Sequence, residues 1–361
     1  MTEKLRVGII GTGFGATVQI PAFRGHPRVE VVAVASGQPG KARRVADAFG
    51  VPHAFDDYAA LVRADVDLVS ITAPPHLHKP MTDAAVAARR HVLCEKPMAL
   101  STAEATAMLA AADAARVLHL IDHELRFNPN RRKAKALLDE GFIGQPRHAL
   151  LTAMNASRLD PRRPWGWWFD EARGGGVLGA VGSHQIDLLR YWLGDIATVA
   201  GSVETCVRER PLPDGTGRHP VTADDFTSFT MRFHSGAVGT VVLSVVATHP
   251  VGPRVEFWGD EGFLWIDEAE RLWGARHGKA PEELTEPETA TAPPGVEYAP
   301  LWGLSFVRLV DHVVGAALDG TPVAPAATFA DGVVVQGVLD AVRQASRTGW
   351  VRVETGAGAA G

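Results

Sequence analysis

The stretch Leu5-Arg6-Val7-Gly8-Ile9-Ile10-Gly11-Thr12-Gly13-Phe14-Gly15-Ala16 decides the fold. Its first half is a short apolar run rich in β-branched residues, the pattern of a buried strand. Its second half is glycine-rich and leads into a helix-compatible segment. A strand handed over to a helix through Gly-x-Gly-x-x-Ala is the phosphate-binding turn of a dinucleotide fold. Gly11 permits the tight turn, Gly13 lets the backbone approach a pyrophosphate, and the small Ala16 lets the helix lie close on the strand. The helix N-terminus then offers its N–H groups and the positive end of its dipole to the phosphates. With Thr12, Phe14 and Gly15 between them, these residues form the expected cofactor-binding turn.

Outward from that turn, apolar β-rich runs alternate with alanine-rich helical segments as far as residue 125. Val29–Ala35, Leu68–Thr72, His91–Cys94 and Val117–Ile121 read as strands, and Lys41–Phe49, Met81–Arg89 and Thr102–Ala115 as helices. Such alternation predicts a Rossmann-type, doubly wound parallel sheet whose ligand lies beyond the carboxyl ends of the strands. From about residue 147 the texture changes. Ala149–Ala153, Val199–Val207, Asp225–Phe233, Ala237–Val246, Val255–Trp258 and Phe263–Ile266 are spaced by turn residues, as in a largely antiparallel sheet. One helix, Ser183–Leu193, interrupts them with apolar residues at helical spacing. The expected organisation is an α/β dinucleotide-binding domain over 1–125 and an α+β domain with a large, mostly antiparallel open sheet over 126–355, the cleft lying between them. Residues 356–361, in a Gly/Ala run that starts at Thr355, read as a disordered tail. Lys279–Pro300 reads as an exposed loop.

Composition narrows the partners. The chain has 361 residues, 46% hydrophobic and 21% charged, with a net charge of −5 in mixed sign. That is a soluble globular balance with no basic stripe for nucleic acid; Arg131-Arg132-Lys133 reads as a solvated helix face. Charged Lys4-Leu5-Arg6 leads directly into a strand instead of a signal sequence, and no apolar run approaches a membrane span. A cytoplasmic protein with a small-molecule substrate is expected. Cys94 and Cys206 are too few for a disulfide framework, and His76, His78, His119 and His123 lack acidic or cysteine partners at ligand spacing, so no metal is expected.

Three further motifs follow the glycine-rich start. Cys94-Glu95-Lys96-Pro97 closes one parallel strand and Thr72-Ala73-Pro74-Pro75-His76 follows another. Gly174-Gly175-Gly176 then leads to Gly182-Ser183-His184-Gln185-Ile186-Asp187. With the glycine-rich start, they resemble the glucose-fructose oxidoreductase, inositol dehydrogenase and rhizopine catabolism protein family (Gfo/Idh/MocA) over essentially the whole chain. His123-Glu124-Leu125-Arg126-Phe127-Asn128-Pro129 and Gly179-Ala180 are most similar to the branch containing glucose-fructose oxidoreductase domain proteins. The resemblance implies an NAD(P)-dependent oxidoreductase acting on CH–OH groups of a sugar, polyol or cyclitol derivative, assembled as a homodimer or homotetramer. It implies catalytic roles for Lys96 and His184, cofactor contacts from Thr72, Pro74, His76, Glu95 and Lys96, and substrate contacts from Lys96, Arg126, Trp167 and His184.

The chemistry suits those residue types. When a hydride leaves an alcohol carbon, charge develops on oxygen; a strand-end lysine stabilises it and a histidine takes the proton near neutral pH. Trp167, in an aromatic and arginine-rich loop, suits the flat face of a sugar ring. The chain departs from the family at Ala180, where a carboxylate commonly stands; Asp122, Glu124, Asp170 and Asp187 are the acids open to replace it. A non-catalytic, nucleotide-sensing protein of the same fold and a biliverdin-reductase-like enzyme are the alternative readings. Cofactor choice rests on Ser36, at the end of the second strand, where an NAD site usually carries an acid. Ser36 with Lys41, Arg43 and Arg44 after it favours NADP over NAD.

Overall fold

β1 (Leu5–Ile10) lies inside a six-stranded parallel sheet in the computed structural model, which describes residues 3–298 and 301–354. With β2 (Val29–Ala35), β3 (His53–Phe55), β4 (Leu68–Ile71), β5 (His91–Cys94) and β6 (His119–Ile121), the order is β3-β2-β1-β4-β5-β6. The order reverses direction between β1 and β4, the topological switch point at which such sheets bind ligands. Ile10 is level with Ala35 and Ile71, Ile71 with Cys94, and Cys94 with Ile121. The residues that follow, Gly11, Ser36, Thr72, Glu95 and Asp122, therefore stand in a row along one end of the sheet. All of β4 and nearly all of β1 are buried, as a sheet covered on both faces requires.

Helices α1 (Ile20–Gly25), α2 (Lys41–Phe49), α3 (Tyr58–Arg63), α4 (His78–Ala87) and α5 (Thr102–Ala115) link these strands. α5 begins at Ser101, whose hydroxyl accepts from the Glu104 N–H, while the Glu104 carboxylate accepts from the Leu100 N–H. β3 and α3 do not appear in the sequence reading because three and six residues are too short to establish a period.

This unit runs to Asn128 and also takes in Thr289–Val333, which the sequence reading had placed beyond its boundary at residue 125. The cause is local. Pro21 lacks an N–H, which leaves the Thr17 carbonyl without its helical donor. The Glu297 N–H donates to that carbonyl at 2.9 Å. Nearby, Phe306 on the helix Trp302–Asp319 meets Phe14 and Phe23 edge to face at 6.5 and 5.6 Å. Part of the expected loop 279–300 is thus a strap across the first helix of the fold.

The second unit spans Pro129–Glu288 and the residues from Val334 onward. It comprises α6 (Pro129–Asp139), β7 (Pro146–Met154), α7 (Ser183–Leu193), β8 (Ile196–Glu204), the hairpin β9 (Glu209–Pro211) and β10 (Arg218–Pro220), and β11 (Phe226–Phe233). β12 (Val238–Ser244), β13 (Val251–Gly259), β14 (Gly262–Ile266), β15 (Leu272–Arg276), β16 (Glu282–Glu283) and β17 (Val351–Arg352) follow. The large sheet runs β16-β15-β14-β13-β7-β12-β11-β8-β17, antiparallel except for β7 with β12. Phe229, Met231, Val241, Leu243, Phe257 and Leu264 are buried on one face, where Trp192 of α7 meets Phe257 at 5.1 Å. Alternate residues on the other face, among them Trp258, Phe263, Trp265 and Trp273, are only half-buried and stack in a line at 5.0, 4.8 and 5.7 Å. The expected tail at 356–361 lies outside the described residues. No helix among the described residues is long and apolar enough to cross a membrane.

Candidate active site

At the end of β1, Gly11 adopts a φ of +110°, where a side chain is strained, and a Cβ there would collide with the Thr72 backbone. Thr72 is held in that place: its N–H and hydroxyl both donate to the Ile10 carbonyl, at 2.7 and 3.1 Å. Gly15 has a similar reason to lack a side chain, since a Cβ would press on the Thr72 hydroxyl and Ile9. Gly13 differs. Nothing lies within 4 Å of the Cβ it lacks, so its backbone stands open to an approaching group. Two closed glycines and an open one between them fit the cradle a pyrophosphate needs. Ala16 donates its N–H to the Gly13 carbonyl at 3.0 Å, and Phe14 is stacked on Tyr298 at 6.4 Å. The expected α-helix starts instead as a π turn over Gly15–Gln19, closed by the Ile20 N–H on the Gly15 carbonyl.

The loop after β2 carries the residues that bear on the ribose. Ser36 is buried, its hydroxyl accepting from the Gln38 N–H at 3.3 Å and lying 3.5 Å from the Thr12 hydroxyl. Lys41 opens α2. Arg43 is paired with Asp47 at 2.7 Å, whereas the Arg44 guanidinium arches over Gly40, 3.6 Å from where a Cβ would be. Arg44 is therefore folded over the loop.

Behind Lys96 lies a polar cluster that sequence reasoning did not assemble. The π turn brings Gln19 inward, fully buried, where its amide nitrogen donates to Glu95 Oε1 at 3.2 Å and Asp122 Oδ2 at 3.0 Å. The Ser70 hydroxyl donates to the Gln19 oxygen at 2.6 Å and so fixes which way the amide faces. The Lys96 N–H donates to Glu95 Oε2 at 3.3 Å. Asp122 and Glu124 are 0% and 2% exposed. Burial and the other carboxyl groups push Asp122 well above the usual carboxylate range, and burial followed by Glu95 pushes Glu124 to about 8; the Lys96 charge opposes both. Burial also raises Glu95, again against Lys96. The signal available in sequence was an unusual density of acids, Glu95, Asp122 and Glu124, at the ends of two adjacent parallel strands.

The remaining loops of this unit are tied to one another. Pro74 is extended and leads into a 3-10 turn, Pro75–Leu77, that carries His76. His78 is fully buried, with Nδ1 and Nε2 at 3.0 and 2.8 Å from the carbonyls of Pro97 and Ala73. Desolvation pushes its imidazole down to about 4, so the ring is neutral and its single N–H donates to one of the two carbonyls, between the Thr72–His76 and Glu95–Pro97 loops. Arg126 is 6% exposed and sits 3.3 Å from Asp331, with another nitrogen 3.3 Å from the Pro325 carbonyl. The structure thus places it in a buried ion pair with the returning segment.

In the second unit, His184 is 1% exposed at the start of α7. It follows a second π turn, Leu178–Gly182, which contains Ala180. Two of the three glycines ahead of it have packing reasons. A Cβ on Gly175 would strike the Trp168 carbonyl, and one on Gly176, at φ +106°, would strike Asp224. Asp224 accepts from the Leu178 N–H at 2.7 Å and so caps the turn. Trp167 is half-buried in the 3-10 turn Trp167–Phe169. Beside it Arg158 lies over Trp168 at 4.9 Å, its guanidinium pushed down to about 10 by burial, Arg163 and Arg210.

Comparison with known proteins gives a consistent result. Residues 5–123 match the profile described as the oxidoreductase family with NAD-binding Rossmann fold, and residues 131–265 match the GFO/IDH/MocA C-terminal domain. The chain is 31% identical to glucose-fructose oxidoreductase domain-containing protein 2 of Mus musculus, over 96% of this chain and 93% of that protein. It is 29% identical to levoglucosan dehydrogenase of Pseudarthrobacter phenanthrenivorans, over 97% and 98%. A solved levoglucosan dehydrogenase in complex with NADH and levoglucosan superposes with a TM-score of 0.86 at 27% identity, covering 97% of this chain and 100% of the other.

Proposed function

The chain belongs to the GFO/IDH/MocA oxidoreductases and carries their NAD-binding fold, and from that premise we propose that it transfers a hydride between a nicotinamide and a secondary alcohol or ketone of a sugar, polyol or cyclitol derivative. The observation that carries this reading is the row of strand ends, which sets the open Gly13 cradle and Lys96 along one edge of the sheet. The likeness to a dehydrogenase solved with a sugar supports the substrate class. When bound, the nicotinamide supplies the hydride acceptor. Lys96 donates a charge-assisted hydrogen bond to the oxygen on which charge develops, and His184 takes the hydroxyl proton. A panel of sugars, polyols and cyclitols, followed by nicotinamide absorbance, tests this; turnover of none of them, with nucleotide still bound, favours the nucleotide-sensing alternative.

For the cofactor we propose NADP ahead of NAD. Support comes from Ser36 in place of an acid and from Arg44 over the same loop. Ser36→Asp is expected to reverse the preference by setting a carboxylate against the 2′-phosphate. Calorimetric titration checks it, and a parent protein that binds NAD more tightly ends the NADP assignment. We also propose a homodimer or homotetramer built on the half-buried aromatic face of the large sheet, since a contiguous apolar face of this kind marks an interface. Light scattering at micromolar concentration is expected to return a multiple of the 38.5 kDa chain mass. A single chain mass overturns the assembly.

A further inference from the structure

Three carboxyl groups and one lysine share the buried end of β5 and β6, and the mechanism above uses only the lysine. The groups facing one another there are Cys94, Glu95 and Lys96 at the end of β5, and Asp122, His123 and Glu124 beyond β6; Gln19 and Ser70 add uncharged polar groups. Arg126, in the same 3-10 turn as Glu124, is occupied by Asp331. Lys96 supplies the positive charge that acts on all three acids.

A single amide nitrogen, that of Gln19, serves both Glu95 and Asp122, which brings an oxygen of each within 3.2 Å of one atom. Two ionised carboxylates that close together repel strongly in a dry setting, and one of such a pair keeps its proton. Asp122 Oδ1 is buried with no hydrogen-bond partner, an arrangement that an ionised carboxylate, which needs donors on both oxygens, does not tolerate.

We propose that Asp122 and Glu124 are positioning residues that act through Lys96 as neutral carboxylic acids, so that the ammonium group faces one carboxylate, Glu95, instead of three. Were all three ionised, their field would work against negative charge on the reacting oxygen and cancel the contribution of Lys96. The proposal rests on the hydride-transfer reading. No group is transferred: the two protons stay on their carboxyl groups through the reaction.

The first test needs neither substrate nor cofactor. Infrared spectra of the intact protein at pH 7 are expected to show protonated carboxyl C=O bands that weaken in Asp122→Asn and in Glu124→Gln and fade from the parent as pH rises. Their absence from the parent at pH 7 overturns the proposal, whatever the fate of the functional reading. The second test uses a substrate found in the panel. The parent kcat is expected to fall about tenfold between pH 6.5 and pH 9, as Glu124, titrating at about 8, empties its proton, whereas Glu124→Gln falls less than about threefold, because an amide mimics the protonated acid. An alkaline limb equally steep in the parent and in Glu124→Gln overturns the proposal, since a purely structural role leaves the pH profile in place.

Discussion

Lys96→Met is expected to cut turnover on a confirmed substrate by at least about a hundredfold, the loss that follows removal of one electrostatic donor aimed at a developing oxyanion. The methionine keeps the length and apolar stem of the side chain but cannot donate or carry charge. Nucleotide binding is expected to survive, because the Gly13 cradle and the Ser36 loop are built from β1, β2 and Thr72, without the Lys96 side chain. The effect should therefore appear in kcat, with the dissociation constant of the nucleotide little changed. Turnover equal to the parent removes Lys96 from the mechanism.

The second expected result concerns stability against pH. Glu124 is 2% exposed and its carboxyl rises from the usual 4.5 to about 8 in the folded chain. A carboxyl group raised on folding stabilises the protein fully below its unfolded value, and that stabilisation is lost as pH climbs toward the folded value. The window is therefore from about 4.5 to about 8, and Asp122, raised in the same direction, adds to the same slope. At about 1.4 kcal/mol per unit, Glu124 accounts for roughly 3–5 kcal/mol across that window. Calorimetric melting of the parent should show its transition falling from pH 5 to pH 8, and Glu124→Gln should flatten the fall because an amide has no proton to lose. Parallel curves for parent and variant contradict the assignment.

The site was legible in sequence where chemistry sits at the end of a regular element. Gly11–Ala16, Ser36, Thr72 and Glu95-Lys96 each follow a strand whose β-branched pattern is plain, and the ladder registers then bring them level without further information. What stayed hidden depends on departures from regular periods. Gln19 reaches the two acids because the helix opens with a π turn, and no hydrophobic spacing announces a π turn. Arg126 could be placed opposite Asp331 only by knowing that a segment some two hundred residues later returns to its unit. Most of the second unit's strands alternate cleanly and were legible. β15 and the short pieces β9, β10, β16 and β17 were not, since they are read only as partners of strands already placed.

The bond from the Glu297 N–H to the carbonyl left open by Pro21 bears on how the protein is made. On the ribosome the first unit emerges early, with its six strands and its glycine turn, yet the aromatic partner of Phe14 and Phe23 and the donor for Thr17 are still to be synthesised. Domains ordinarily fold as they emerge, amino-terminal first. Here the first helix of the nucleotide-binding unit stays uncovered until residues 289–333 follow, after the intervening Pro129–Glu288 has been synthesised.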